Sequence, residues 1–398
     1  MSIAMASGAD GLRALQAQRE MRKTAKAEGQ KSEVNPARDL FRAEQPKYFA
    51  NLVTTDTPFR ERLVMFWANH FTVSLKRPEI APVLHAYIRE AIRPHVTGRF
   101  TDMVLAVMRH PAMLLYLDNA GSFGPNSPVG QKQHKGLNEN LARECLELHT
   151  ITPAAGYTQA DVTSFARILT GWSLELKDEP VGFKYRPATH EPGEHMVMGQ
   201  SFPEGEAGGV AALTWLSQHP ATYHNLASKL ANHFVQDAPP PAAVQRLEAV
   251  LRTTHGDLKA VSREIVKLPE AWQPLVKLRS PAEYVLAVLR AADLGPNQEH
   301  PVDVPGVIAA LGQPLYVAPL PNGWPDTATD WAGSEGLLQR VDWAYGFSGR
   351  LSAMDAEQLG ERALGPLFSE GTKAAIRGAG ARRDALAMLF SSPEFLRR

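Results

Sequence analysis

The sequence predicts an all-α protein, a single large multi-helical domain with long loops and one small β-hairpin. Two observations carry this. Apolar residues recur at helical spacing, as in Leu63, Phe66, Trp67 and His70, and again in Tyr223, Leu226, Ala227, Leu230, His233 and Phe234. Glycine- and proline-bearing irregular stretches at 119–136, 177–209 and 314–325 interrupt that rhythm without replacing it by regularly spaced strands. A chain of 398 residues, 44% of them hydrophobic, is also long enough to bury a sizeable core.

Taken in order, residues 1–36 are polar and charged, with an amphipathic stretch from Leu12 to Met21. They read as a flexible or loosely attached arm, and the helical domain as 37–398. Thr57 and Pro58 look like an N-cap and a first helical residue. Thr101 to His110 is an apolar helix stopped by Pro111. Thr158 and Asp161 form a weak capping box, with Asp where Glu or Gln is usual, and open a helix carrying Val162, Phe165, Ala166, Leu169 and Trp172. Ser280 and Glu283 make a full capping box with proline between them, and Ser392-Pro393-Glu394 starts a short last helix or turn. Within 177–209, Phe183-Lys184-Tyr185 and Met196-Val197-Met198 are the two arms of the expected hairpin.

Composition excludes several classes. Lys plus Arg is 42 and Asp plus Glu is 42, so nothing global draws the chain to nucleic acid or to an anionic membrane. No apolar run reaches membrane-spanning length. Met1 to Lys31 contains no secretory h-region, so the chain as given reads as cytoplasmic, and as periplasmic or exported if its true start lies upstream. The single cysteine, Cys145, allows neither an internal disulfide nor a cysteine-based zinc cluster, and its helical setting reads as a small buried residue rather than a nucleophile. There is no phosphate-binding glycine loop, dinucleotide fingerprint or Gly-x-Ser-x-Gly elbow.

Candidate chemistry concentrates in Gly136 to Thr150. On a helical wheel, Leu137, Leu141, Cys145 and Leu148 form the buried stripe, and Glu144 lies at its edge between Asn140 and Glu147. Arg143 can reach Glu139 and Glu147. Glu144 and Glu147 are therefore candidates for general acid–base work or metal ligation, and the competing reading is a structural ion-pair network. His149 lies about 140° from Glu144 on that wheel, so the two serve one site only if the regular helix ends first. Neither the His-Glu-x-x-His nor the Glu-x-x-His metal pattern is present. His190 sits in a polar loop with Glu191, Glu194 and His195, as binding and catalytic histidines do, but without a recognised metal spacing. His70, on the apolar stripe, reads first as a satisfied core histidine and second as a ligand. The candidate catalytic set is thus Glu144, Glu147, His149 and His190. The weak metal candidates are His70, Glu144, His149 and His190, acting with or without a divalent metal. Asp118 and Asn119 read as turn residues, and Trp324, between Gly323 and Pro325, reads first as a buried anchor for the irregular stretch and second as a pocket-lining residue.

Several stretches together resemble the bacterial domain-of-unknown-function 1800 family. They include Phe66-Trp67-Ala68-Asn69-His70-Phe71, His110-Pro111-Ala112-Met113-Leu114, Leu137-Asn138-Glu139-Asn140-Leu141-Ala142-Arg143-Glu144, Glu147-Leu148-His149-Thr150, Leu169-Thr170-Gly171-Trp172, His190-Glu191-Pro192-Gly193 and Gly323-Trp324-Pro325-Asp326. The likeness runs in order from about residue 40 to the C-terminus. It implies a helical fold without an established activity. It also implies a genomic neighbour, the domain-of-unknown-function 1501 family, which looks like phosphatases and sulfatases, and frequent export of relatives. Two functional readings follow: an enzyme with a carboxylate–histidine site, or a non-catalytic scaffold or maturation partner of such a neighbour. Relatives usually carry a further glycine-rich N-terminal segment that is not seen here. Where they have Leu-Gly after Glu-Leu-His-Thr, this chain has Ile151-Thr152-Pro153, which puts the turn after His149 in question.

Overall fold

The computed structural model describes residues 5–29, 34–294, 302–351 and 353–398. Residues 1–4 and 30–33, part of the expected N-terminal arm, lie outside it. The expectation of an all-α protein holds: helices account for nearly all the regular structure, and the described strands form two antiparallel pairs. Buried apolar side chains from Leu12 to Phe395 make one contiguous cluster. No described helix is long and apolar enough to cross a membrane.

The N-terminal helix Gly8–Ala27 starts on a capping box between Ser7 and Asp10. Leu12 and Leu15 are buried, while the second half is mostly exposed. Its docking is close: a Cβ on Gly11 would fall 2.3 Å from the Pro82 carbonyl oxygen, so only glycine lets the two backbones meet there. Three helices then build the centre. Pro58–His70 contributes Trp67, 1% exposed, against Phe71 and Phe100. Truncating a buried indole of this kind costs about 3–5 kcal/mol. Phe100–Arg109 and Pro111–Tyr116 pack behind it, hinged at Pro111 as the sequence predicts.

The acidic segment departs from the wheel. Asn140–Glu144 is α-helical, but Cys145–His149 is a π-turn. The wider turn rotates every later side chain, so Leu146 and His149 are buried while Leu148 is only partly so. After it, Thr152 takes φ +63° and ψ 162°, a conformation suited to glycine. The Thr158–Asp161 box is fully formed and opens the helix Gln159–Leu169.

The two short strand segments do not pair with one another. Gly182–Tyr185 pairs with Trp172–Glu175, and His195–Val197 with Gln200–Phe202. Each therefore finds a partner nearer in sequence, across a shorter loop.

The helices Glu206–Ser217, Pro220–Phe234, Pro241–Thr253 and Leu258–Lys267 follow. Pro281–Ala291 opens on the predicted Ser280–Glu283 capping box. The chain then runs through Val304–Ala310 and the irregular 311–327 stretch to further helices ending at Pro393–Leu396. The last residue returns to 277, where Lys277 and Arg398 exchange backbone hydrogen bonds of 3.0 and 2.8 Å.

Candidate active site

The residues expected from sequence fall into three neighbourhoods. Glu144 and Glu147 are half-buried, near Tyr116 and Tyr157. Loss of hydration, and then the charge of Glu147, push the Glu144 carboxyl above its usual value. Arg143 pairs with Glu139 at 2.8 Å rather than with either of them. Cys145 is fully buried, and burial pushes its thiol up to about 12.

His149 and His70 do come together, at 6.0 Å between ring centroids. His70 Nε2 donates to the His149 carbonyl at 3.2 Å, which leaves Nδ1 to accept from the Lys229 ammonium at 3.4 Å. Lys229 also donates to the Leu148 carbonyl at 3.0 Å, and Asn225 to the Thr150 carbonyl at 2.8 Å. Three side chains thus satisfy three successive carbonyls that the end of the π-turn leaves without helical partners. Burial, and then Lys229, hold His70 well below its ordinary value and take His149 down to about 3.

His190 stands apart with a full set of bonds. Its Nδ1 donates to the Thr170 carbonyl at 2.8 Å, and its Nε2 accepts from the Gly205 amide at 2.9 Å. Thr170 is the C-cap of one helix and Gly205 the N-cap of the next, so one imidazole links two helix ends. The neighbouring Glu191 is 2% exposed and accepts from the Asn126 amide at 2.9 Å, tying the 119–136 loop to the 177–209 segment. No partner given by these bonds joins His190 to Glu144 or His149. Among the described residues, no three His, Cys, Asp or Glu side chains are grouped to hold a metal ion.

A cleft of about 740 Å³ lies between Pro58–His70, Pro220–Phe234, the start of Pro281–Ala291 and the 313–326 stretch. His70 and Lys229 reach its wall from the network just described. Its apolar lining includes Met65, Phe66, Leu315 and Trp324. Asn69 builds the wall by accepting from the Trp324 amide at 2.8 Å and donating to the Trp324 carbonyl at 2.9 Å. Trp324 is therefore an anchor through its backbone, while its ring lines the cleft. The preceding Gly323, at φ +82°, has its Cβ position 2.5 Å from the Asn69 carbonyl oxygen, so no other residue permits this approach.

That clamp presents Asp326 to His233. His233 Nδ1 donates to Asp326 Oδ2 at 2.6 Å, and the Lys277 ammonium, 3.5 Å from Asp326 Oδ1, holds the carboxylate from the other side. Lys277 is itself fixed by Asp237 at 2.6 Å. No hydrogen bond from a described residue takes His233 Nε2. Burial lowers the His233 value, opposed by the bond to Asp326, so the imidazole is neutral at neutral pH. Lys229 lies four residues earlier on the same helix, one turn away. Burial brings it down to about 8, so it remains mainly protonated at pH 7.

Sequence reasoning placed His233 on an apolar stripe and Asp326 in a motif, without joining them. One signal was available: His224, Ser228, Lys229, Asn232 and His233 recur at i, i+4, i+5, i+8 and i+9, a polar face on an otherwise apolar helix.

No curated protein and no solved structure matches the chain. A family model described as "Protein of unknown function (DUF1800)" matches residues 4–397. The likeness read from Phe66-Trp67-Ala68-Asn69-His70-Phe71 and Gly323-Trp324-Pro325-Asp326 extends to both ends of the chain, and the protein belongs to the DUF1800 family.

Proposed function

We propose that the protein is an enzyme and that the cleft carrying His233 performs general acid–base chemistry, in its simplest form ester hydrolysis. The observation behind this is the state of His233: Nδ1 is held by Asp326 at 2.6 Å, Nε2 has no described protein partner, and the ring borders a cleft of about 740 Å³. A neutral imidazole oriented in this way takes a proton from water at Nε2 as the water oxygen bonds to the ester carbonyl carbon. Lys229 spends two N–H groups on Leu148 and His70, and its third is free to meet the oxyanion that forms. When the carbon–oxygen bond to the leaving group breaks, the imidazolium returns the proton to that oxygen. In this reading Asp326 and His233 take the carboxylate–histidine role for which the sequence offered Glu144, Glu147, His149 and His190.

Two measurements test the reading. Long-range 1H–15N NMR of histidine-labelled protein, assigned with His233→Gln, should show a bare Nε2 on His233 at pH 7.5. Hydrolysis of p-nitrophenyl acetate and butyrate should fall about 10²- to 10⁴-fold in His233→Gln, as for removal of a positioned general base. An Nε2–H tautomer, or turnover surviving that substitution, rejects the assignment. A wild-type protein inert toward both esters rejects hydrolysis and favours a non-catalytic role beside a domain-of-unknown-function 1501 neighbour.

A further inference from the structure

We infer that a second cleft, sharing one wall with the first, binds an oxyanion: the phosphate or carboxylate head of an organic acid. This cleft encloses about 720 Å³, and Arg62, Met65 and Glu283 line both cavities. Five guanidinium groups border it, from Arg62, Arg279, Arg290, Arg362 and Arg398, against the carboxylates of Glu61, Glu283 and Asp293.

The distribution of contacts matters more than the count. Glu61 is already taken by both terminal nitrogens of Arg93. Glu283 is shared, 3.0 Å from Arg398 and 3.7 Å from Arg62. The other three arginines have no described ion pair and donate to backbone carbonyls. Arg279 bonds the Glu394 and Phe395 carbonyls, Arg290 those of Leu52, Val53 and Thr55, and Arg362 that of Ala291. A carbonyl fixes a guanidinium in place but does not neutralise it. Arg62 Nη2 and Arg398 Nε are buried and make no hydrogen bond. Burial, and then the charge of Arg398, bring Arg62 down to about 10, as expected of cations facing each other with too little counter-charge.

Fixed, planar guanidinium groups with unspent N–H donors are the usual receptor for a carboxylate or phosphate, which accepts two parallel bonds from each fork. Leu286, Leu364 and Phe395 give the same cleft an apolar side for a carbon skeleton. The inference concerns binding alone and stands whether or not His233 is a catalyst.

Isothermal titration of the full chain at low ionic strength, with inorganic phosphate in one arm and acetate in the other, provides the test. Saturable binding of one anion is expected, and the arm that responds identifies the head group. Arg62→Gln and Arg362→Gln should each weaken it about tenfold or more, the size of one lost charge-assisted contact. If Arg62→Gln fails to fold, the more exposed Arg362→Gln decides. Arg246→Gln, at an exposed guanidinium outside the cleft paired with Glu264, should leave affinity unchanged. Lack of saturable binding in both arms overturns the inference. So does undiminished affinity in Arg362→Gln, or an equal loss in Arg246→Gln.

Discussion

His190 and His233 both pin an irregular segment to a helix, and they differ in what is left over. His190 bonds Thr170 through one ring nitrogen and Gly205 through the other. His233, on the wall of the cleft, bonds Asp326 through one, and no described residue bonds the second. Only His190 stood out from sequence, because a histidine in a polar loop is conspicuous and one on an apolar helical stripe is not. The contrast teaches that location is a poor guide to role: an imidazole with both nitrogens engaged is a strut, and one with a nitrogen to spare can do chemistry.

The largest effect is expected at His233, where Gln removes about 10²-fold or more of turnover. Chemical denaturation should show a stability change under about 1 kcal/mol, since the side chain borders a cleft and the amide can still donate to Asp326. His190→Ala should do the reverse. It leaves a buried carbonyl and a helix-capping amide without partners, which costs about 2–4 kcal/mol, while per-molecule turnover of the folded fraction stays unchanged. If His190→Ala abolished turnover in a stably folded protein, the comparison would collapse.

Acid comes next. Burial lowers His149 to about 3 and His85 to about 4. Each folded value lies below the ordinary 6.5, so the unfolded chain takes up protons first as pH falls. Their contribution is complete above pH 6.5 and is lost as pH drops toward 4 and 3, by about 2 kcal/mol per group between pH 6.5 and 5. Urea midpoints measured across that window should fall steadily, and His85→Phe should flatten the fall. The smallest effect is a gain. Thr152, at φ +63°, sits where glycine is unstrained, and Thr152→Gly should raise stability by about 1 kcal/mol in thermal unfolding.

Local chemistry was legible in the sequence where it is completed within a few residues. The Ser280–Glu283 and Thr158–Asp161 boxes, the stop at Pro111 and the short helix at Pro393 all follow from near neighbours. The π-turn at Cys145–His149 was not legible, because a regular wheel carries no term for a widened turn, and it is this turn that buries His149. Long-range pairings were equally hidden. Asn69 meets Trp324 across 255 positions and His233 meets Asp326 across 93, and no periodicity connects such residues. Motifs marked Asn69, Trp324 and Asp326, and the apolar stripe carried His233, without saying which of them touch. The strand segments show the same limit: their propensity was evident, but their partners depended on loops that composition does not rank.

The bare backbone contact at Gly323 also governs how the cleft can respond to its contents. The Asn69 carbonyl fills the space a side chain would need, and both Trp324 backbone groups bond the Asn69 side chain, so the segment bearing Trp324 and Asp326 is tied tightly to the Pro58–His70 helix. A ligand that pushes on Phe66 or Met65 therefore also moves the acid that steers His233. Occupancy of the cleft and the aim of the imidazole are in this way coupled through one backbone contact.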